Sequence, residues 1–218
     1  LTVQKERDPA KAKSPVDLLV EAAQLAFVDT GNVGIAQAVD TVASIRFITD
    51  SPEARDFPCG IYLNPAHTVS GLLGLTPPNL MLAATGGNSP QMMINELAER
   101  IANGAVQTAL LVGGEGFASV TRALAQGLDK SHWNDRPDRE AEIIGVEKPG
   151  TKPIEHKHGL FFPVNSYPLF ENALRAHMGR DMATHMKKVG QLMAPFTTIA
   201  ASHPQSWFPT ERSAEELV

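Results

Sequence analysis

Residues 79–112 read NLMLAATGGNSPQMMINELAERIANGAVQTALLV. Residues 79–85 form a short apolar run of strand type. Gly86-Gly87-Asn88-Ser89-Pro90 is a glycine turn that leads into a helix start, with Pro90 suited to the first helical turn. Met93, Leu97 and Ile101 recur at i, i+4 and i+8, the period of a helix face. Asn103-Gly104 ends that helix. Residues 108–112 (TALLV) are a second buried-type strand, closed by Gly113-Gly114. Strand, helix and strand in so short a stretch make a βαβ unit with parallel strands. The fold class that follows is α/β.

Upstream, Ser14-Pro15-Val16-Asp17 has a capping residue, a first-turn proline and an acid at the positive end of the helix dipole. Leu19, Ala22, Ala23 and Ala26 continue at helical spacing, so a helix is predicted over 15–29, with Gly31 as its stop. Residues 39–48 hold Val42, Ile45, Phe47 and Ile48 and predict a largely buried strand. Residues 51–78 contain five prolines and three glycines and predict a loop with one short helix near 67–73. Downstream of Gly116, residues 127–158 are polar and aperiodic, which predicts an excursion from the main domain. Helices are predicted over 169–177 and 181–201. The second carries Met182, Met186, Val189, Met193, Phe196 and Ile199 on one broad face, and Pro195 is expected to kink or break it.

Composition narrows the function classes. The 218 residues hold 19 Lys+Arg against 24 Asp+Glu, a net charge of −5. No basic face is available for nucleic acid. No apolar run approaches the roughly 18–20 residues that span a bilayer. A single cysteine excludes an intrachain disulfide and a cysteine-rich zinc site. No charged-then-apolar leader follows Leu1, so a cytoplasmic protein is expected.

The glycine turn is the first candidate site. It lies between a strand's carboxyl end and a helix's amino end, where α/β sheets bind ligands. Backbone N–H groups and the helix dipole favour an anion or oxyanion there. Neither phosphate-loop signature is present, which disfavours a nucleotide-binding domain. Asn88 and Ser89 are also natural helix caps, and capping is the expected role of Ser89. Cys59 lies away from the turn and is read as an ordinary partly buried thiol. His156 and His158, two apart, would share one face of a strand. Two imidazoles without further ligands do not make a metal site, and none is expected.

Several segments together resemble the thiolase superfamily, in particular its sterol-carrier-protein type and acetyl-CoA acetyltransferase-like members. The family's Cys-Gly-Ser-Gly turn, later Gly, and Gly-Gly-Met-Glu fall on Gly87-Asn88-Ser89-Pro90, Gly104 and Val112-Gly113-Gly114-Glu115. Val39-Asp40-Thr41-Val42 is similar to the family's Val-Asp-x-Val strand entry. Ala200 to Trp207 resembles its small-small-x-Asn-Pro-x-Ala segment, and Ser213 to Leu217 its Thr-x-Glu-Glu-Val.

The resemblance implies a thiolase-like half over 1–120, its first strand missing, with a mixed, largely parallel sheet. A mostly helical loop domain would follow over 121–218. It puts Gly87 where the nucleophilic cysteine stands, with Asn88 and Ser89 at the oxyanion position, and His158-Gly159 at the acyl-CoA pocket. The implied function is binding or acting on acyl-CoA thioesters, by Claisen, retro-Claisen or retro-aldol chemistry without a cysteine acyl-enzyme. The alternative is a non-catalytic subunit that binds lipid-CoA or a partner protein. Coenzyme A enters as substrate or ligand, and no cofactor is implied. The expected partners are a C-terminal thiolase half, on a second polypeptide or a detached segment, and further copies in a homo-oligomer. A half-sheet standing alone is expected to expose an apolar edge and face.

Overall fold

The structure is a computed structural model that describes residues 1–50, 59–160 and 162–218. It divides into two compact units, residues 1–148 and 149–218.

The first unit is α/β. Helix α1 (Pro15–Asp29) begins with a capping box: the Ser14 hydroxyl accepts from the Asp17 N–H, and the Asp17 carboxylate accepts from the Ser14 N–H. Helix α2 (Ile35–Ala38) is a single turn ahead of strand β1 (Thr41–Ile45). Helix α3 (Pro65–Leu72) is capped by Asn64, which accepts from the His67 N–H. The predicted loop over 51–78 lies partly outside the described residues; its short helix begins two residues earlier than expected. Strand β2 (Asn79–Ala83), helix α4 (Ser89–Ala102) and strand β3 (Ala109–Val112) form the predicted βαβ unit. Helix α5 (Phe117–Ala125) and strand β4 (Glu142–Ile144) complete the unit.

The four strands run parallel in the order β3-β1-β2-β4. β2 and β3 therefore flank β1 and do not pair with each other. Thr41 stands opposite both Asn79 and Ala109, so one register runs across three strands. Side-chain alternation splits the sheet into two apolar faces. Val42, Leu80, Leu110 and Val112 pack with α1 and α3, through Val16, Leu19, Ala66 and Val69. Ala43, Met81 and Ala83 pack on the opposite face with Met93 and Leu97 of α4. The layers are thus helix, sheet, helix. On the α4 side, Met93 and Leu97 cover the centre of the face, and Ile45, Leu111 and Ile144 remain partly exposed at its margin.

The expected domain boundary at 120/121 falls inside α5. The first unit extends to Lys148 because β4, in the stretch read as an excursion, adds to the sheet edge beside β2. A two-pronged ion pair fixes it: the Arg100 guanidinium of α4 donates to both Glu142 oxygens at 2.7 Å.

The second unit is helical: α6 (Pro153–Lys157), α7 (Pro163–His177) and α8 (Met182–Ser202). Asp181 caps α8 by accepting from the Thr184 N–H. α8 runs unbroken through Pro195, against expectation. Pro195 cannot serve the carbonyl of Gln191, and both residues line an open groove of about 960 Å³. That groove separates α8 from residues 211–216, which dock back on the helix. There the Thr197 hydroxyl donates to the Arg212 carbonyl and accepts from the Arg212 N–H.

Candidate functional site

The β2–α4 turn sits at the carboxyl end of the parallel sheet, as expected. Asn88 occupies the cap position of α4, yet its side chain makes no capping bond. Ser89 does not cap either. Its buried hydroxyl points backward and donates to the Ala84 carbonyl at 2.5 Å. The Ser89 N–H donates to the Gly86 carbonyl at 3.0 Å. Capping was the expected role for Ser89, and the correction has a plain cause. Pro90 and the Gly86 turn place Ser89 inside the first turn, too late to reach forward to the helix N–H groups.

The helix start is therefore bare. Among the described residues, no hydrogen bond engages the N–H groups of Gly87, Asn88 or Gln91. The two glycines differ sharply. A Cβ at Gly86 would lie 2.8 Å from the Asn88 Oδ1 and 3.2 Å from the Ser89 Oγ. A Cβ at Gly87 would meet nothing within 4 Å. The position that the resemblance assigns to a nucleophile is open space in front of free N–H donors.

One carboxylate reaches the strand end ahead of this turn. Glu147 accepts from the Thr85 N–H with both oxygens, at 3.1 and 3.2 Å, and pairs with the Arg46 Nε at 3.0 Å. Gly145, at φ +93°, lets the chain turn off β4 against the Met92 side chain and Ala84, where a Cβ would come within 2.9 Å of the Met92 Cε. An Arg and a backbone N–H at the ends of β1 and β2 thus hold an anion, here supplied by the chain itself.

At the same carboxyl end lie further groups, of which sequence reading named Glu115 and Cys59 but not Asp50 or Asp135. Asp50 accepts from the Tyr62 N–H at 3.1 Å; its second oxygen is buried and has no hydrogen-bond partner among the described residues. Burial pushes its carboxyl up to about 7, against the opposing pull of the Tyr62 N–H and the Arg46 charge. Glu115 accepts from the Ile48 N–H at 2.7 Å, and burial raises its carboxyl as well. Asp135 accepts from the N–H groups of Leu63 and Asn64 and from the Thr68 hydroxyl, which ties loop 130–135 to the start of α3. Cys59 is half-buried. Burial, and then the Asp50 charge, push its thiol up, away from thiolate.

His158 and Gly159 belong to the second unit. The expectation that His156 and His158 share a strand face is corrected, because α6 is a helix and residues two apart on a helix point apart. His156 lies in α6, His158 is its C-terminal cap, and Gly159 follows at φ +76° to end it. His158 is exposed. The structure gathers Gly87, Asn88 and Ser89 at one turn of the first unit. Among the described residues no helix is long and apolar enough to cross a membrane. No family model and no curated protein sequence matches the chain.

Proposed function

We propose that the chain is a thiolase-like protein that binds acyl-CoA thioesters at the β2–α4 turn without forming an acyl-enzyme. The observation that carries this reading is the bare start of α4, with Gly87 open and the N–H groups of Gly87, Asn88 and Gln91 unengaged. A thioester carbonyl seated there accepts these N–H bonds. Fixed donors of this kind stabilise the negative charge that builds on oxygen when a carbon–carbon bond next to the carbonyl forms or breaks. Gly87 offers no nucleophile. Ser89 offers none either, since its proton is committed to the Ala84 carbonyl and its oxygen is buried. A covalent intermediate at this turn has no atom to form on.

That last point also favours the second reading, a thiolase-like subunit that binds the thioester and does not turn it over. The two readings part on product. Incubation with acetyl-CoA and 3-hydroxyacyl-CoA, followed for free CoA and shortened products, separates them. Turnover selects the first, and saturable binding without turnover selects the second. Absence of saturable binding removes both.

Two variants test the site itself. Gly87→Ala keeps the fold, since the new methyl meets no atom, and fills the space where the carbonyl would sit. It is expected to weaken acetyl-CoA binding at least tenfold in a calorimetric titration, with an unchanged melting temperature. Unchanged binding would place the ligand elsewhere. Glu147→Ala removes the chain's own carboxylate from Arg46 and Thr85. Arg46 is mostly buried, so loss of its partner should cost more than the about 0–1 kcal/mol of a surface pair, and a melting scan reports that the variant remains folded. Acetyl-CoA binding is expected to tighten several-fold, measured by the same titration. Equal or weaker binding would mean that Glu147 does not compete with the ligand.

A further inference from the structure

The carboxylate that closes on the end of β2 fits its seat imperfectly. The Arg46 side chain is 17% exposed and that of Glu147 37%, so a largely fixed guanidinium faces a freer carboxylate. Glu147 is the one ion-pair partner of Arg46 among the described residues. The Arg46 Nε is buried and, although the Glu147 Oε1 lies 3.0 Å away, it makes no hydrogen bond among those residues. The hydroxyl of Thr85, whose N–H faces the same carboxylate, is buried and unpartnered there as well. Two buried donors are thus left unmet around an anion that is already present, an arrangement that native proteins seldom keep without a further partner. The cause is the tether. Glu147 follows β4, a three-residue edge strand that pairs only with β2, and the backbone turns at Gly145. Held that way, the carboxylate puts both oxygens on the Thr85 N–H and leaves the Nε and the hydroxyl unserved.

We propose that Arg46 and Thr85 form the seat for a carboxylate of the ligand, and that Glu147 stands in for it until the ligand arrives. The inference rests on the acyl-CoA reading and names its substrate class: the thioester of a short dicarboxylic acid, with succinyl-CoA as the working case. The occupant's chemistry comes from the seat, which already holds a carboxylate. A carboxylate free of the tether can accept from the Thr85 N–H with one oxygen and from the Arg46 Nε with the other, both charge-assisted. It keeps lone pairs for the Thr85 hydroxyl. Spacing limits the acyl chain. Thr85 and Gly87 are two residues apart, so their N–H groups lie within about 7 Å of each other. A carbonyl at Gly87 and a carboxylate at Thr85 are therefore bridged by only a few carbons. The phosphates of CoA do not compete for this seat, because a whole pantetheine arm separates them from the thioester. Arg46 also needs an anion once Glu147 leaves. Asp50, another acid within reach of its charge, is pushed up to about 7 by burial and does not serve as counter-ion below that pH.

The test compares succinyl-CoA with butyryl-CoA, which has the same carbon chain and no carboxylate, by calorimetric titration of the full chain. The native protein should bind succinyl-CoA about threefold tighter or better, with Glu147 still competing; this measurement needs no variant. Glu147→Ala should widen the preference to about tenfold or more, the scale of one hydrogen bond to a charged group. Adding Arg46→Gln to Glu147→Ala removes both members of the ion pair and should bring the preference to about one. Each preference is a ratio within one protein, so a general loosening affects both thioesters alike, and circular dichroism reports that each variant is folded. Equal affinity for the two thioesters, in the native chain and in Glu147→Ala, overturns the inference and leaves acyl-CoA binding standing. A preference that survives the loss of Arg46 puts the carboxylate elsewhere and overturns it too. Binding of neither thioester removes the acyl-CoA reading, and this inference with it.

Discussion

Replacing Asp50 with Asn is expected to abolish most of a fall in stability that the native chain shows as pH rises from about 5 to 8. Asp50 is 7% exposed, and its carboxyl is held near 7, well above the usual 3.8. Below about pH 4 both the folded and unfolded chains carry the proton, and the group has no effect. Above that, the unfolded chain releases it and the folded chain keeps it. The folded state then binds more protons, so stability falls with pH, by about 1.4 kcal/mol per unit at the steepest. The loss ends once pH passes the folded value near 7. Its limit, over about three units, is on the order of 4 kcal/mol. Glu115, raised by burial, adds to the same trend. Carboxylates shifted the other way, such as Glu142 beside Arg100, gain stability with rising pH but complete that gain near the ordinary carboxylate value. Among the carboxylates, the window from 5 to 8 therefore isolates the buried ones. Urea unfolding at each pH is the measurement. Asn keeps an acceptor for the Tyr62 N–H and cannot ionise, so its profile should keep only the shallower slope that Glu115 adds. A variant with the native slope would show that Asp50 is ionised in the folded chain.

The turn was legible in the sequence, and the carboxylates around it were not. A strand, a glycine pair and a helix follow one another within a few residues, so local signals suffice to find Gly87, Asn88 and Ser89. Arg46, Glu147, Asp50 and Glu115 lie scattered over about a hundred positions. The all-parallel arrangement of β3-β1-β2-β4 alone brings their segments to the carboxyl end of the sheet. The same distinction holds for the fold. α1 was legible to the residue, because its capping box, proline and apolar period agree. β4 was hidden: three residues, two of them apolar, inside a polar stretch, held by pairing with β2 and by the Arg100 fork. Strand-forming groups of that size carry no period of their own. α5 follows Gly116 without a capping side chain, so its start lacks the usual mark. At the turn, residue types were read correctly and one orientation was not. Ser89 has a capping residue's chemistry, but backbone geometry aims its hydroxyl at Ala84.

Truncating Phe47 should be among the costliest single changes in the first unit, at about 3–5 kcal/mol for Phe47→Ala. Phe47 is fully buried just past β1, between Arg46, which holds Glu147, and Ile48, whose N–H is held by Glu115. Its ring meets Tyr62 edge-on, with centroids 5.5 Å apart and planes at 68°. Tyr62 in turn packs in the same core cluster as Val16 and Leu19 of α1. One ring therefore supports both the carboxyl end of the sheet, which carries the candidate site, and the start of α1, which packs beside Gly114 and Gly116 at that same end. At roughly 2–4 °C per kcal/mol for a chain of this size, the melting temperature should drop by about 6–20 °C. A double-mutant cycle with Tyr62→Leu separates the ring pair, expected at about 0.5–1.5 kcal/mol, from the cavity. The functional consequence distinguishes this variant from an ordinary core defect. Loosening residue 47 frees Arg46 and Ile48 from their registered positions, so acetyl-CoA binding should weaken even at temperatures where the variant is fully folded. If binding by the folded variant matches the native chain, the segment after β1 is not what positions the anion-holding end of the sheet, and Arg46 would have to be set by Glu147 alone.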